Sequence, residues 1–396
     1  MAVNIETAAA PAKVALWNDP RARALFFQAL ILGLVALGGA YLVHNTLANL
    51  ERQGIASGFG FLNTTAGFNI SMSLIHYSEE STYGRAFLVG LLNTLLVSGI
   101  GVVLATILGF IIGVARLSPN WLISRFAMAY IEILRNIPLL LQLFFWYFAV
   151  LRALPSPRQS VQLFDSFFLN NRGLFSPSPI FAPGFTLVWI ALIVALVASF
   201  VIRRWAKKRQ EATGEQFPVF YTAAGLIIGL PLLAAIVTGF PLSWNYPVLR
   251  GFNFQGGVAL IPEFVALVVA LSTYTAAFIA EIVRAGIMSV SHGQTEASYA
   301  LGLRPGPTLR LVIIPQALRV IIPPLTSQYL NLTKNSSLAA AIAYPDIVLV
   351  FAGTVLMQTG QAVEIISITM ACYLVISLLI SLLMNWYNQK MALVER

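Results

Sequence analysis

Gly293-Gln294-Thr295-Glu296-Ala297-Ser298-Tyr299-Ala300-Leu301-Gly302 is a polar, helix-prone island in an otherwise oily chain. Ser291 and Gln294 stand at capping-box spacing, Glu296 falls in the first turns, and Gly302 with Pro305 just beyond supplies a stop. The spacing predicts a short helix over 294–301. At about 1.5 Å per residue such a helix spans roughly 15 Å, too short and too polar to cross a bilayer.

The surrounding composition makes the bilayer the solvent. The 396 residues are 58% hydrophobic and 10% charged, with a mean hydropathy of +0.81. That leaves too little polar surface for a soluble protein of this length, and several apolar runs reach spanning length. The net charge of +9 does not point to nucleic acid, because the basic residues sit between apolar runs and form no single stripe with interleaved aromatics. Cys372 is the one cysteine and lies in an apolar run, which excludes a disulfide and a cysteine metal site. His44, His76 and His292 are scattered, so no metal site is expected.

Eight spans are predicted, over 25–43, 86–115, 127–150, 185–202, 219–237, 264–280, 338–355 and 365–383; the seventh is interrupted by Pro345-Asp346. With the N-terminus cytoplasmic, inner segments hold seventeen Lys and Arg, from Lys13 to Arg396, against six in outer segments. This bias places both termini inside and requires an even number of spans. Arg203-Arg204-Trp205-Ala206-Lys207-Lys208-Arg209 is its strongest local pin and reads first as a stop-transfer anchor, with an anionic-lipid or nucleic-acid site as the other readings. The first apolar run is longer than a signal-peptide core and lacks a small-x-small cleavage site, so it reads as a retained anchor. Gly/Ser/Asn-rich and Pro-rich stretches outside read as ordered loops or interfacial helices.

Between about 289 and 336 lie Gly302, Pro305, Gly306, Pro307, Pro315, Pro323 and Pro324. Roughly 45 residues so punctuated read as a cytoplasmic docking element around the short helix. Glu296-Ala297-Ser298, then Gly302, then Val312, Ile314 and Pro315 resemble the Glu-Ala-Ala…Gly…Ile-x-Leu-Pro signature of ABC-importer permeases, with Ser298 at the second Ala. Pro315-Gln316-Ala317-Leu318-Arg319, Ile322-Pro323-Pro324-Leu325 and Lys334-Asn335-Ser336-Ser337-Leu338 resemble flanks of the polar amino-acid branch, as does Arg135-Asn136-Ile137-Pro138-Leu139-Leu140-Leu141-Gln142-Leu143-Phe144. The chain is most similar to the Q-type subunit of general L-amino-acid permeases.

That resemblance implies an all-α polytopic membrane protein: a five-helix type I importer core plus three extra spans. It divides the chain into an N-terminal segment (1–85), a first core part (86–151), an insertion with two extra spans (152–261) and a second core part (262–390) carrying a coupling loop at about 288–334. It also implies residence in a bacterial inner membrane and no catalytic role for this chain. The expected partners are separate ABC ATPase subunits, a second homologous permease in a heterodimer, an extracytoplasmic amino-acid-binding protein and membrane lipid.

The chemistry agrees with that division of labour. A polar zwitterion does not cross hydrocarbon unaided, since burying a charge costs several kcal/mol. The chain has no Gly-Lys pair and therefore no P-loop, so ATP and magnesium belong on the partner ATPase and no cofactor is expected here. Gln294, Glu296, Ala297, Ser298, Gly302 and Pro315 are the expected coupling residues, with Glu296 meeting the ATPase and Gly302 aiming the helix. Asn93, Gln142, Tyr274, Asn335 and Ser336 are the candidate pathway residues, being polar groups at expected membrane depth. Glu281 with Arg284, and Glu132 with Arg135, stand one turn apart and read as structural ion pairs. A gradient-driven carrier or channel is the alternative reading.

Overall fold

The computed structural model describes residues 19–52 and 57–391; Lys13 and Arg396 lie outside them. It is mostly helical. In chain order the principal helices are α1 (Pro20–Arg52), α2 (Tyr83–Arg116), α3 (Trp121–Asn136), α4 (Leu139–Leu151), α5 (Phe185–Thr213), α6 (Val219–Val237) and α7 (Pro262–Met288). They are followed by α8 (His292–Ala300), α9 (Pro305–Ile342), α10 (Val348–Thr359) and α11 (Ala362–Met391). Among the described residues seven helices are long and apolar enough to cross a membrane, or eight with α3 and α4 counted as one bent span.

Two expected spans take a different form. The run over 127–150 is broken at Ile137-Pro138, where the chain turns by 105° between α3 and α4. The residue before a proline is held out of the helical region, and Ile137 is extended at φ −96°, ψ 127°. The run over 338–355 is not a span. The crossing helix is α9, 38 residues long, and it absorbs most of the segment expected to be a 45-residue cytoplasmic loop. Pro305 opens α9 at a position that needs no N–H, and Pro323 and Pro324 are carried inside the helix. Of that segment only α8 and its short linkers lie outside the long helices.

α2 and α7 form the centre of the molecule. Gly101, Ala105, Gly109 and Gly113 recur every fourth residue on the buried face of α2. Facing them, Ala276, Ala277, Ile279, Ala280 and Val283 of α7 are buried. Small residues let two backbones approach where lipid offers no hydrophobic drive to association. Tyr130 Oη of α3 donates to Thr273 O (2.8 Å), and Thr106 Oγ1 and Tyr329 Oη lie 2.9 Å apart, tying α3 and α9 to this pair. With α11 these elements make a core of five spans, and α1, α5 and α6 stand outside it. None of the apolar window of α1 is buried, and α5 and α6 pack chiefly on each other, burying only Ala195 and Ala206 of α5.

The insertion also contains strands, which the helical expectation omitted. A four-stranded antiparallel sheet runs β1 (Val161–Leu163), β2 (Phe167–Asn170), β3 (Gly173–Ser176), then β8 (Val258–Leu260). β4 (Ser178–Phe181) pairs with β5 (Leu242–Asn245), and β6 (Val248–Arg250) with β7 (Asn253–Gln255). The two loops flanking the α5–α6 hairpin are thus sewn into one cap, filled by Phe168, Phe175 and Phe254 with ring centroids 4.5 and 5.0 Å apart. At its base the ends of α4 and α7 are joined, Tyr147 Oη donating to Glu263 Oε1 (2.7 Å) with Arg152 3.8 Å from the same oxygen. Because α7 runs from this cap to α8, cap and α8 occupy opposite ends of the bundle.

Candidate functional site

α8 is held at both ends and open along its length. It begins at Ser291, which is extended (φ −61°, ψ 143°), but the serine side chain makes no capping bond; Gln294 N bonds Ser291 O instead, so the expected capping box is not formed. Gly302 ends the helix at φ +77°, its N–H donating to Tyr299 O (2.9 Å) while Leu303 N reaches Ser298 O (3.1 Å). Gln316 Nε2 donates to Gln294 Oε1 (3.2 Å), fixing the helix against α9 at the residue after Pro315.

The burial pattern of α8 separates its two faces. Gln294, Glu296, Ala297, Tyr299 and Ala300 are exposed, and Ser298 is the only buried residue, with its hydroxyl donating to Gln294 O at 2.6 Å. Ser298 is also the position where the signature departs from alanine. The site admits a small side chain, and a hydroxyl satisfied within its own helix costs little there. On the open face Glu296 Oε1 lies 3.0 Å from His292 Nδ1, with the two side chains 70% and 84% exposed, so the carboxylate is oriented yet accessible.

The pathway candidates divide. Asn93 is fully buried and clasps three segments: Nδ2 donates to Met72 O (2.8 Å) and Pro345 O (2.9 Å), while Tyr344 Oη donates to the Asn93 carbonyl (3.2 Å). Next to it Thr94 Oγ1 accepts from Ile347 N (3.0 Å). Gln142 straps the other break, donating from Nε2 to Leu134 O (2.8 Å) and Ile137 O (2.9 Å). Ser336 is buried and donates to Thr333 O (2.7 Å). These three side chains donate to backbone carbonyls, while Asn93 Oδ1 and Gln142 Oε1 are buried with no hydrogen-bond partner among the described residues. Tyr274 and Asn335 are half-buried. Asp346 accepts from Leu349 N (2.8 Å) and caps α10 after the left-handed Ala343 (φ +60°).

Asn93→Leu is expected to destabilise the chain by about 2–4 kcal/mol, because carbonyls of two other segments lose a donor in a buried setting. Thermal unfolding of the detergent-purified protein checks it, and an unchanged transition would remove the clasp from this account.

Of the expected ion pairs, Glu281 and Arg284 meet at 2.5 Å. Glu132 and Arg135 form no ion pair with each other among the described residues; the Arg135 guanidinium lies 5.2 Å from the centre of the Phe278 ring, and the Glu132 carbonyl accepts from Asn136 Nδ2.

Another set of polar residues shares one face of a helix. On α9, Ser327, Asn331 and Lys334 are exposed at i, i+4 and i+7, opposite buried Ile321, Ile322, Leu325 and Leu332. Their helical spacing would have revealed a polar stripe at membrane depth had the segment been read as a span and not as a loop.

Five packed spans with a short, exposed polar helix between two of them define a polytopic membrane protein. The family described as binding-protein-dependent transport system inner membrane component matches residues 105–393, and the chain belongs to it. It is 60% identical over 380 residues, 96% of each chain, to YhdX of Escherichia coli (strain K12), whose provisional name is amino-acid ABC transporter permease protein. Over 380 residues, 96% of this chain and 94% of the relative, it is 58% identical to the general L-amino acid transport system permease protein AapQ of Rhizobium johnstonii. Over 409 residues, 96% of each chain, it is 46% identical to the glutamate/glutamine/aspartate/asparagine transport system permease protein BztB of Rhodobacter capsulatus. Among solved structures, an amino acid ABC transporter crystallised with histidines aligns over 78% of this chain and 95% of its own, with a TM-score of 0.46 and 22% identity.

Proposed function

We propose that this chain is the transmembrane permease subunit of an ATP-driven, binding-protein-dependent importer of polar L-amino acids. Separate ABC ATPase subunits, which bind ATP and magnesium, dock on α8 and contact it through Glu296 and its exposed neighbours. An extracytoplasmic amino-acid-binding protein delivers substrate at the opposite, cap end. The chain lies in a bacterial inner membrane with both termini cytoplasmic, the orientation favoured by the Lys and Arg bias.

The observation that carries this reading is α8: a polar helix seated between two core spans with Ser298 alone turned inward. The stripe Ser327-Asn331-Lys334 supports a second permease subunit. Exposed polar groups at membrane depth are costly against lipid, and Lys334 has no ion-pair partner among the described residues, so the stripe faces a partner across a wet pathway. The family's similarity to amino-acid permeases and the absence of a P-loop favour a heterodimer powered by a separate motor.

The complex reconstituted in proteoliposomes with its ATPase and binding protein is expected to accumulate labelled amino acids only when ATP is supplied. Uptake that persists without ATP would reject the coupling. Lys334→Met is expected to lower uptake at least about tenfold without changing assembly, since one pathway cation is worth more than about 1.4 kcal/mol in a low-dielectric setting.

A further inference from the structure

α5 is longer than a bilayer requires. Its 29 residues rise about 43 Å against a hydrocarbon core of about 30 Å, whereas its antiparallel companion α6 has 19 residues and fits within that thickness. The excess lies at the C-terminal end of α5. Phe185 and Pro262 both leave the cap, so this end shares a side with α8.

The overhang is cationic, and its charges are not equivalent. Lys207 meets Glu211 at 3.7 Å and Arg209 meets Glu215 at 2.6 Å, so those two are already matched. Arg203 and Lys208 have no acidic partner among the described residues, and the Arg204 guanidinium lies 4.5 Å from the centre of the Phe200 ring. Arg204 and Lys208 are one turn apart on a single face.

That face continues into the membrane as an apolar track. Ile190, Val194, Val197 and Val201, each about half exposed, lead to Trp205 at helical spacing. A cleft of about 560 Å³ opens at the junction, between Val201, Trp205, Arg204, Lys207, Lys208 and Glu211. Its level is marked by aromatic side chains: Trp205 packs edge-on against Phe217 (5.4 Å), and Phe220 and Tyr221, 78% and 77% exposed, open α6. Such belts mark the headgroup boundary. The hairpin packs chiefly on itself, so its outer face is left for lipid.

We infer that this cleft binds an anionic phospholipid, with the phosphate between Arg204 and Lys208 and an acyl chain along Val201, Val197 and Val194. Orienting the hairpin requires only net charge on one side of the membrane. An apolar track leading into unmatched cations on the same face also fits an amphiphile.

A soluble phosphate shares the headgroup chemistry, so the test includes it. Native mass spectrometry of the full importer in detergent, titrated with phosphatidylglycerol or phosphatidylcholine, is expected to show the anionic lipid bound about tenfold or more tightly. Arg204→Gln with Lys208→Gln is expected to abolish most of that preference. Arg203→Gln with Arg209→Gln removes the same formal charge from residues outside the cleft and is expected to keep it. Inorganic phosphate is expected not to displace the lipid. Equal binding of the two lipids, equal loss in both double variants, or displacement by inorganic phosphate would each overturn the assignment. Both variants retain three cations at this helix end, which preserves insertion.

Discussion

Gly113→Leu is expected to prevent accumulation of the folded chain. A Cβ built at Gly113 would stand 2.7 Å from Ala280 O and 2.8 Å from Val283 Cβ, and one at Gly109 would stand 2.5 Å from Ile279 Cγ2. Backbone and β-branched atoms cannot swing aside, so any side chain forces α2 away from α7. Overpacking a well-fitted interior costs about 1–3 kcal/mol and more when backbone must move. Here the strain falls on the contact around which the other core spans are arranged. Gly113→Ala should give a smaller loss than Gly113→Leu. Gly225→Leu on α6, where nothing lies within 4 Å, should be neutral. The yield of monodisperse protein after detergent extraction reads all three, and a normal yield of Gly113→Leu would show that the helices are not in close contact.

Gly302→Val is expected to leave the bundle folded and to lower ATP-driven uptake at least about tenfold. Nothing lies within 4 Å of a Cβ at Gly302, so the cost is conformational: φ is +77°, and a β-branched residue is disfavoured there by about 1–3 kcal/mol. The helix end relaxes by giving up the turn that aims α8, and the exposed Glu296 moves with it. Gly302→Asn is the control, because asparagine tolerates the left-handed region. Uptake equal to wild type in Gly302→Val, or an equal defect in both variants, would detach the turn from coupling. Glu296→Gln should reproduce the uptake defect with an unchanged yield of folded protein.

What was legible in the sequence depended on whether a local rule had a rival. α1, α2, α5, α6, α7 and α11 are uninterrupted apolar runs, and hydropathy alone locates them. α8 was legible because polarity, short length and Gly302 agreed. α9 was not, because Pro315, Pro323 and Pro324 have the marks of loop punctuation in water. Inside a packed bundle neighbouring elements support a helix through its prolines. Reading that segment as a loop also concealed that Ser327 shares one exposed face with Asn331 and Lys334, whereas Asn93, Gln142 and Ser336 donate to backbone carbonyls. Polarity at membrane depth tells that a partner exists; only packing tells whether that partner is the backbone or a passing solute. The strands of the cap escaped because segments of three or four residues carry too little periodicity to register.

α9 begins beside α8 and ends at the left-handed Ala343, which places a single rod of about 57 Å between α8 and the clasp around Asn93. Mechanically it is a pushrod. A tilt imposed at the α8 end would be delivered to the far side of the bilayer without passing through any loop, and the stripe along its flank would turn with it. Pro323 and Pro324 bring no amide donor midway along, yet the helix runs through them without a break.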